Sequence, residues 1–339
     1  MINALQVAIE ERLARREDWL RCSVPFDPGT ATAFHSAPDN LAGLTAAVAA
    51  AAHDRAGFFT ADPPPVMASG ASGITWSIEA DAGMPCTGAA RLRFYPAKGN
   101  DEATIIVPHM NTLRDDYALM CRALRFFGTS TVRYTLPFHD GRTQDTGPGR
   151  RQMVSANLGL TIACVRQSVI EVIALGEHLR ARGYRRINLV GISLGTCTAT
   201  IAGAISDLFD TVSVFLMADD FASVVWRGRA TRDVRAALDG NIALPALQDV
   251  WDLLHPYRYA DLLAARKVPV LLITGEYDTV MPPDLTVNVV RAFRSAGVDL
   301  DWRRYQCGHY GLAYPPFSLA VLHRLLAAFR RARSRVPTE

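Results

Sequence analysis

Ile187-Asn188-Leu189-Val190-Gly191-Ile192-Ser193-Leu194-Gly195-Thr196-Cys197 is the stretch on which the fold turns. A short apolar, β-rich run ends in G-x-S-x-G, and a small-residue helical pattern follows, so a serine falls where a strand bends sharply into a helix. Such a turn closes only with small flanking residues, and Gly191 and Gly195 supply the room. The hydroxyl of Ser193 is then aimed above the sheet. The Leu194 N–H sits at a helix start, where it has no intrahelical acceptor and can bind a developing oxyanion. Ser193 is therefore a candidate nucleophile.

Working outward, Thr104-Ile105-Ile106-Val107, Thr131-Val132-Arg133-Tyr134, Ile187 to Ile192, Val212 to Leu216 and Val268 to Ile273 are short buried-strand patterns. Helical patterns separate them: Leu113 to Phe127, about Met153 to Arg182, the run after Ser193, Leu285 to Ala296 and Ser318 to Arg333. This alternation specifies an α/β fold with a mainly parallel twisted sheet and helices on both faces, whose ligands sit at the carboxyl ends of the strands. Upstream, Ile74 to Ile78 and Arg91 to Tyr95 alternate apolar with polar around the turn residues Asp81-Ala82-Gly83, an edge hairpin. Residues 1 to 65 read as a helical extension, with an apolar stripe at Ile2, Leu5, Ile9, Leu13 and Leu20 and a second helix from Leu41 to Arg55. Residues 66 to 335 form the main domain. Within it, about 220 to 265 lacks a strand pattern but carries helical pieces, which are expected to lie over the site as a lid, with Trp226 and Trp251 facing an apolar pocket.

A serine hydroxyl needs a base to take its proton and a third group to orient that base. The run ending at Ile273 leads into Thr274-Gly275-Glu276-Tyr277-Asp278, which offers a carboxylate on a loop, with Glu276 as the rival to Asp278. After the strand-like Leu300 to Tyr305 comes Cys307-Gly308-His309-Tyr310-Gly311, a histidine between glycines ahead of the last helix. Asp278 is expected to orient His309, and His309 to act as base.

The elbow serine, the Asp after the penultimate strand and the His after the last one, in that order, resemble the α/β-hydrolase superfamily over residues 70 to 335. Pro137-Phe138-His139-Asp140-Gly141-Arg142 and Ser155-Ala156-Asn157-Leu158-Gly159 are similar to a poorly characterised bacterial group within it. The resemblance implies a second oxyanion donor in Pro108-His109-Met110-Asn111, from the N–H of Met110 or Asn111, although a lipase-type His-Gly-Gly run is absent. It also admits Asp219 or Asp220 as the acid. His109 and His139 follow strands that end at the site, so substrate contact is expected of them. For His139 the competing reading is a turn with a structural Asp140–Arg142 pair.

The 339 residues carry 36 basic and 33 acidic side chains, a net charge of +3, which argues against a dedicated nucleic-acid surface. Six scattered cysteines without C-x-x-C spacing read as reduced thiols. The first residues lack the order of a signal peptide, and no apolar stretch reaches spanning length, so a cytoplasmic protein is expected. No metal or cofactor motif is found. The basic run Arg330 to Arg335 is expected to complement a helix C-terminus. The reading is a serine hydrolase cleaving a small carboxylic ester through an acyl-enzyme. Amide, thioester or lactone hydrolysis, acyl transfer, or a non-catalytic ligand- or protein-binding member of the fold are the alternatives.

Overall fold

The computed structural model describes residues 2–15, 24–29, 34, 40–62, 65–70, 73, 75–79, 89–99, 101–113, 115–140, 142 and 152–334. Among the described residues, nine strands form one sheet: β1 (Val66–Ser69), β2 (Thr75–Glu79), β3 (Ala90–Tyr95), β4 (Glu102–Val107), β5 (Ser130–Arg133), β6 (Arg186–Ile192), β7 (Thr211–Phe215), β8 (Val270–Gly275) and β9 (Leu300–Tyr305). Their order is β1-β2-β3-β5-β4-β6-β7-β8-β9. β1, β2, β3 and β5 pair antiparallel, and every pair from β5–β4 to β8–β9 is parallel. The expected hairpin is β2–β3, and its Asp81–Gly83 turn lies outside the described residues.

The helices are α1 (Ile2–Ala14), α2 (Leu41–Ala51), α3 (Arg55–Phe58), α4 (Ala118–Phe126), α5 (Leu158–Ala181), α6 (Leu194–Ile205), α7 (Phe221–Arg227), α8 (Arg232–Leu238), α9 (Leu244–Val250), α10 (Ala260–Arg266), α11 (Pro283–Ser295) and α12 (Phe317–Arg333). The central strands are apolar on both faces, and period-two alternation divides them between two cores. Ile105, Leu189, Val212, Val214 and Leu272 pack with residues of α5, α6 and α11, such as Val165, Ile201 and Val289. Their neighbours Ile106, Val190, Phe215, Leu271 and Ile273 pack with Leu124 of α4 and with Leu325 and Phe329 of α12. Two arginines of the basic C-terminal run form ion pairs, Arg331 with Asp299 at 2.7 Å and Arg333 with the buried Glu102 at 2.6 Å; Arg335 lies outside the described residues.

One sequence expectation needs correction here. The 24-residue α5 contains a window of mean hydropathy 1.7, long and apolar enough by composition to cross a bilayer, yet 83% of that window is buried inside the fold. It is a core helix, and it closes around a buried polar group. Glu171 accepts from Arg142 at 2.7 and 2.9 Å and from Gln167 at 2.9 Å, and Tyr134 also donates to it. Arg142 thus pairs with Glu171, not Asp140. Asp140 pairs instead with Arg133 at 2.7 Å.

Parallel pairing brings the carboxyl ends of the strands to one edge of the sheet. Val107 lies opposite Gly191, Ile192 opposite Phe215, Phe215 opposite Ile273, and Gly275 opposite Tyr305. The loops that leave these ends carry Met110, Ser193, Asp219, Asp278 and His309.

Candidate active site

Ser193 joins β6 to α6 with φ 53° and ψ −117°, a conformation L-residues rarely adopt. Packing on both sides enforces it. A Cβ on Gly191 would lie 2.5 Å from Gly195 O, and one on Gly195 would lie 2.2 Å from Val107 O, so neither position accepts a side chain without moving backbone. The Ser193 N–H donates to Phe215 O at 2.9 Å, while its carbonyl accepts from the Thr196 N–H and hydroxyl at 2.9 and 2.6 Å.

Ser193 Oγ lies 3.0 Å from His309 Nε2, and His309 Nδ1 lies 2.9 and 3.1 Å from the two oxygens of Asp278. With Nδ1–H directed at the carboxylate, Nε2 is left to accept from the serine. Asp278 is itself fixed: its Oδ1 accepts the N–H groups of Val280 and Met281 at 2.8 and 2.7 Å. All three side chains are buried, and Ser193 and His309 retain access from one cavity.

The rival acids are engaged elsewhere. Asp220 caps α7 by accepting the Ser223 N–H at 2.8 Å, and it also receives the Gln248 amide. Asp219 accepts the Asp220 N–H at 2.8 Å; burial, and then the charge of Asp220, raise its carboxyl to about 6. Glu276 stands 4.0 Å from Arg304. His255 accepts the Phe221 N–H at 3.1 Å and contacts Gln248 O at 2.9 Å, which ties the segment after β7 together.

The loop after β4 places His109 and Met110 on the cavity. Asn111 turns away with φ 66°, and its N–H donates to His139 Nε2 at 2.9 Å. That hydrogen bond engages the Asn111 N–H with the interior rather than with the cavity. The other end of the His139 ring meets Pro137 O at 2.7 Å, and the ring is fully buried and not part of the cavity lining, so His139 ties the loop together from behind. His109 hydrogen-bonds the Tyr117 hydroxyl, and desolvation pushes its imidazole down to about 4.

The cavity measures about 770 Å³ and is lined mainly by apolar side chains, among them Met110, Met120, Val224, Met281, Leu312 and Leu322. Cys197 also borders it; burial raises its thiol, which donates to Leu254 O at 3.2 Å, so it is no rival nucleophile. The expected lid segment is a series of short helices without a strand, and of it only α7, Ala230–Thr231 and Pro256 border the cavity. Its two tryptophans do not. Trp251 is fully buried in the core with its indole N–H on Leu158 O at 3.3 Å, and Trp226 lies under the Arg235 guanidinium at 3.5 Å. An aromatic residue in a helical insertion signals burial without saying against which surface.

Two residues at the site escaped the sequence reading. Tyr117 begins α4 with φ 69° and lines the cavity, and no motif marks it. Glu10 is buried at the back of the His309 loop, and its only signal is an acidic residue beside an apolar stripe.

No protein-family model matches the chain, and no curated protein matches it. Solved structures do. A puromycin-hydrolysing peptidase of Mycobacterium tuberculosis superposes with TM-score 0.59 at 18% identity, over 78% of this chain and 40% of that one. An acylaminoacyl peptidase of Pyrococcus horikoshii gives 0.57 at 15% identity, over 78% and 42%. A cold-adapted esterase from an Arctic intertidal metagenomic library gives 0.51 at 16%, over 74% and 91%. The chain thus spans about two fifths of the length of the two peptidases and nearly all of the esterase. The sheet order, the elbow and these superpositions together assign the chain to the α/β-hydrolase fold.

Proposed function

We propose that the protein is a serine hydrolase that cleaves a carboxylic ester through an acyl-enzyme. One observation carries this reading: a serine in a strained elbow, an imidazole and a carboxylate, from three separate loops, lie in hydrogen-bond succession at 3.0 and 2.9 Å beside an apolar cavity. His309 takes the proton of Ser193 as Oγ attacks the acyl carbon, and Asp278 stabilises the imidazolium that forms. The Leu194 N–H at the start of α6, with the Met110 N–H opposite, receives the negative oxygen. His309 then protonates the leaving alcohol and activates water for deacylation. His109, held neutral near pH 7, borders the acyl group as a hydrogen-bonding partner and supplies no charge.

The apolar lining supports an acyl or alcohol group of aliphatic or aromatic character. Alkoxides leave more readily than amines, which favours esters; peptidases among the structural neighbours favour amides as the competing substrate. A cytoplasmic site of action belongs to the same proposal, supported by the reduced, buried state of Cys121, Cys164, Cys197 and Cys307. A fluorophosphonate probe tests the chemistry. Covalent labelling at Ser193, lost in Ser193→Ala, is expected, and folded protein that takes no label would refute the reading. A panel of p-nitrophenyl esters of graded acyl length, set beside aminoacyl p-nitroanilides, then separates ester from amide.

A further inference from the structure

The inner face of α1 is built around a carboxylate. Glu10 and Ala14 are buried, at 1% and 2% exposure, whereas Ile9, on the apolar stripe, stands 40% exposed. Glu10 reaches 299 residues along the chain to the loop after β9: Oε1 accepts the His309 N–H at 2.6 Å and the Tyr310 N–H at 3.3 Å. Oε2 accepts the Tyr310 N–H at 3.1 Å and the Gly311 N–H at 3.4 Å. The fit is close, since a Cβ on Gly308 would fall 2.2 Å from the Glu10 carboxyl group.

A carboxylate taken out of water requires compensating donors, and three consecutive backbone N–H groups form a concave set suited to one. Here the first of them belongs to the residue that faces Ser193. Fixing that backbone fixes the pivot of the imidazole. The Glu10 charge interacts favourably with a protonated His309 and unfavourably with Asp278 and with an ionised Cys307, while His109 faces His309 from the loop after β4; burial, the largest influence, raises the Glu10 carboxyl.

We propose that Glu10 is a positioning residue for the base: it ties α1 to the His309 backbone, keeps Nε2 within reach of Ser193 Oγ, and places a second negative charge behind the imidazolium of the transition state. The proposal rests on the serine-hydrolase reading above. It makes turnover conditional on docking of the N-terminal helix, whose Leu13 also borders the cavity.

The test compares Glu10→Ala, Glu10→Gln, Gly308→Ala and the control Glu11→Ala, an exposed neighbour on the same helix, in the full chain with a short p-nitrophenyl ester. Glu10→Ala should lower kcat by about 10- to 100-fold per labelled Ser193, with KM within about threefold of wild type. The acid limb of the kcat/KM profile should move to lower pH. Glu10→Gln retains an acceptor for the His309 N–H but no charge, so kcat should fall less while the acid limb moves as far. Gly308→Ala should lower kcat by pushing the carboxyl aside, and its effect should shrink in the Glu10→Ala background, where the obstructing group is gone. Glu11→Ala should match wild type.

If Glu10→Ala does not fold, Glu10→Gln decides: wild-type kcat and an unmoved acid limb overturn the proposal. Losses that disappear when rates are scaled to the fraction of probe-reactive Ser193 overturn it too, because they reveal stability alone. Wild-type protein that neither takes the probe nor hydrolyses any ester refutes both the hydrolase reading and the role of Glu10, whereas active wild type with indistinguishable Glu10 variants refutes only the latter.

Discussion

His139 Nε2 accepts the Asn111 N–H at 2.9 Å while the opposite ring nitrogen meets Pro137 O at 2.7 Å, so one fully buried imidazole joins the turn after β5 to the loop after β4. That loop presents the Met110 N–H proposed to face the oxyanion. His139→Ala leaves a buried donor unsatisfied, which costs about 1–3 kcal/mol, and frees the loop. We expect a lower urea midpoint together with a kcat reduced by roughly 10- to 100-fold and a smaller change in KM. Unchanged kcat in the folded variant would remove Met110 from the oxyanion site.

The two aspartate positions separate chemistry from capping. Asp278→Asn should lower kcat by about four orders of magnitude, as expected when the base loses its orienting charge. Asp220→Ala should leave kcat within several-fold and reduce stability by about 1 kcal/mol through loss of the α7 cap. Steady-state rates and denaturant titrations on the two variants check this, and a larger kcat loss in Asp220→Ala would reassign the acid.

Two shifted groups act on stability with opposite sign. His109 titrates near 4 in the folded chain against an unperturbed 6.5, because burial disfavours the imidazolium. Between those values the unfolded chain binds more protons, so this contribution is lost as pH falls from about 6.5 to about 4. Asp219 is raised to about 6 by burial and then by Asp220, so the folded chain binds more protons between its usual 3.8 and about 6, and stability is lost as pH rises through that window. Asp219→Asn should therefore raise the melting temperature above pH 6 with the gain vanishing by pH 4, and His109→Gln should flatten the acid-side fall. Parallel melting curves of wild type and Asp219→Asn at pH 4 and pH 8 would contradict the assignment.

Arg142 and Glu171 form a bidentate pair at 2.7 and 2.9 Å, with side chains 1% and 0% exposed. Removing one partner strands the other in the core, so Glu171→Ala should destabilise the fold by about 3–5 kcal/mol, measured by urea denaturation. Neither residue lines the cavity, so Ser193 labelling per folded molecule should stay at the wild-type level.

The alternating fold was legible because each central strand is a short apolar run bounded by helical periodicity. Ile187 to Ile192, Val268 to Ile273 and Leu300 to Tyr305 recur as β6, β8 and β9 within a residue or two at their ends. β4 begins earlier than its apolar core, at Glu102, because that carboxylate is buried against the Asn188 amide at 2.7 Å and Arg333 at 2.6 Å. β1 left no alternation to read: it is an edge strand of four residues, with Val66 64% exposed and only β2 beside it. Ser193, Asp278 and His309 were legible from loop chemistry because each follows a strand end. Glu10 and Asn111 were not, since their partners are set by tertiary packing: the apolar stripe of α1 turned outward at Ile9, and the Asn111 N–H is taken up by His139 from the turn after β5.

The composition of α5 has a consequence for synthesis. A growing chain that has reached Ala181 carries a segment that passes by length and hydropathy for a bilayer anchor, while α6, the helix it packs against, has not yet been made. Until that neighbour emerges from the ribosome, the apolar side chains of α5 that α6 covers in the finished fold have no such cover.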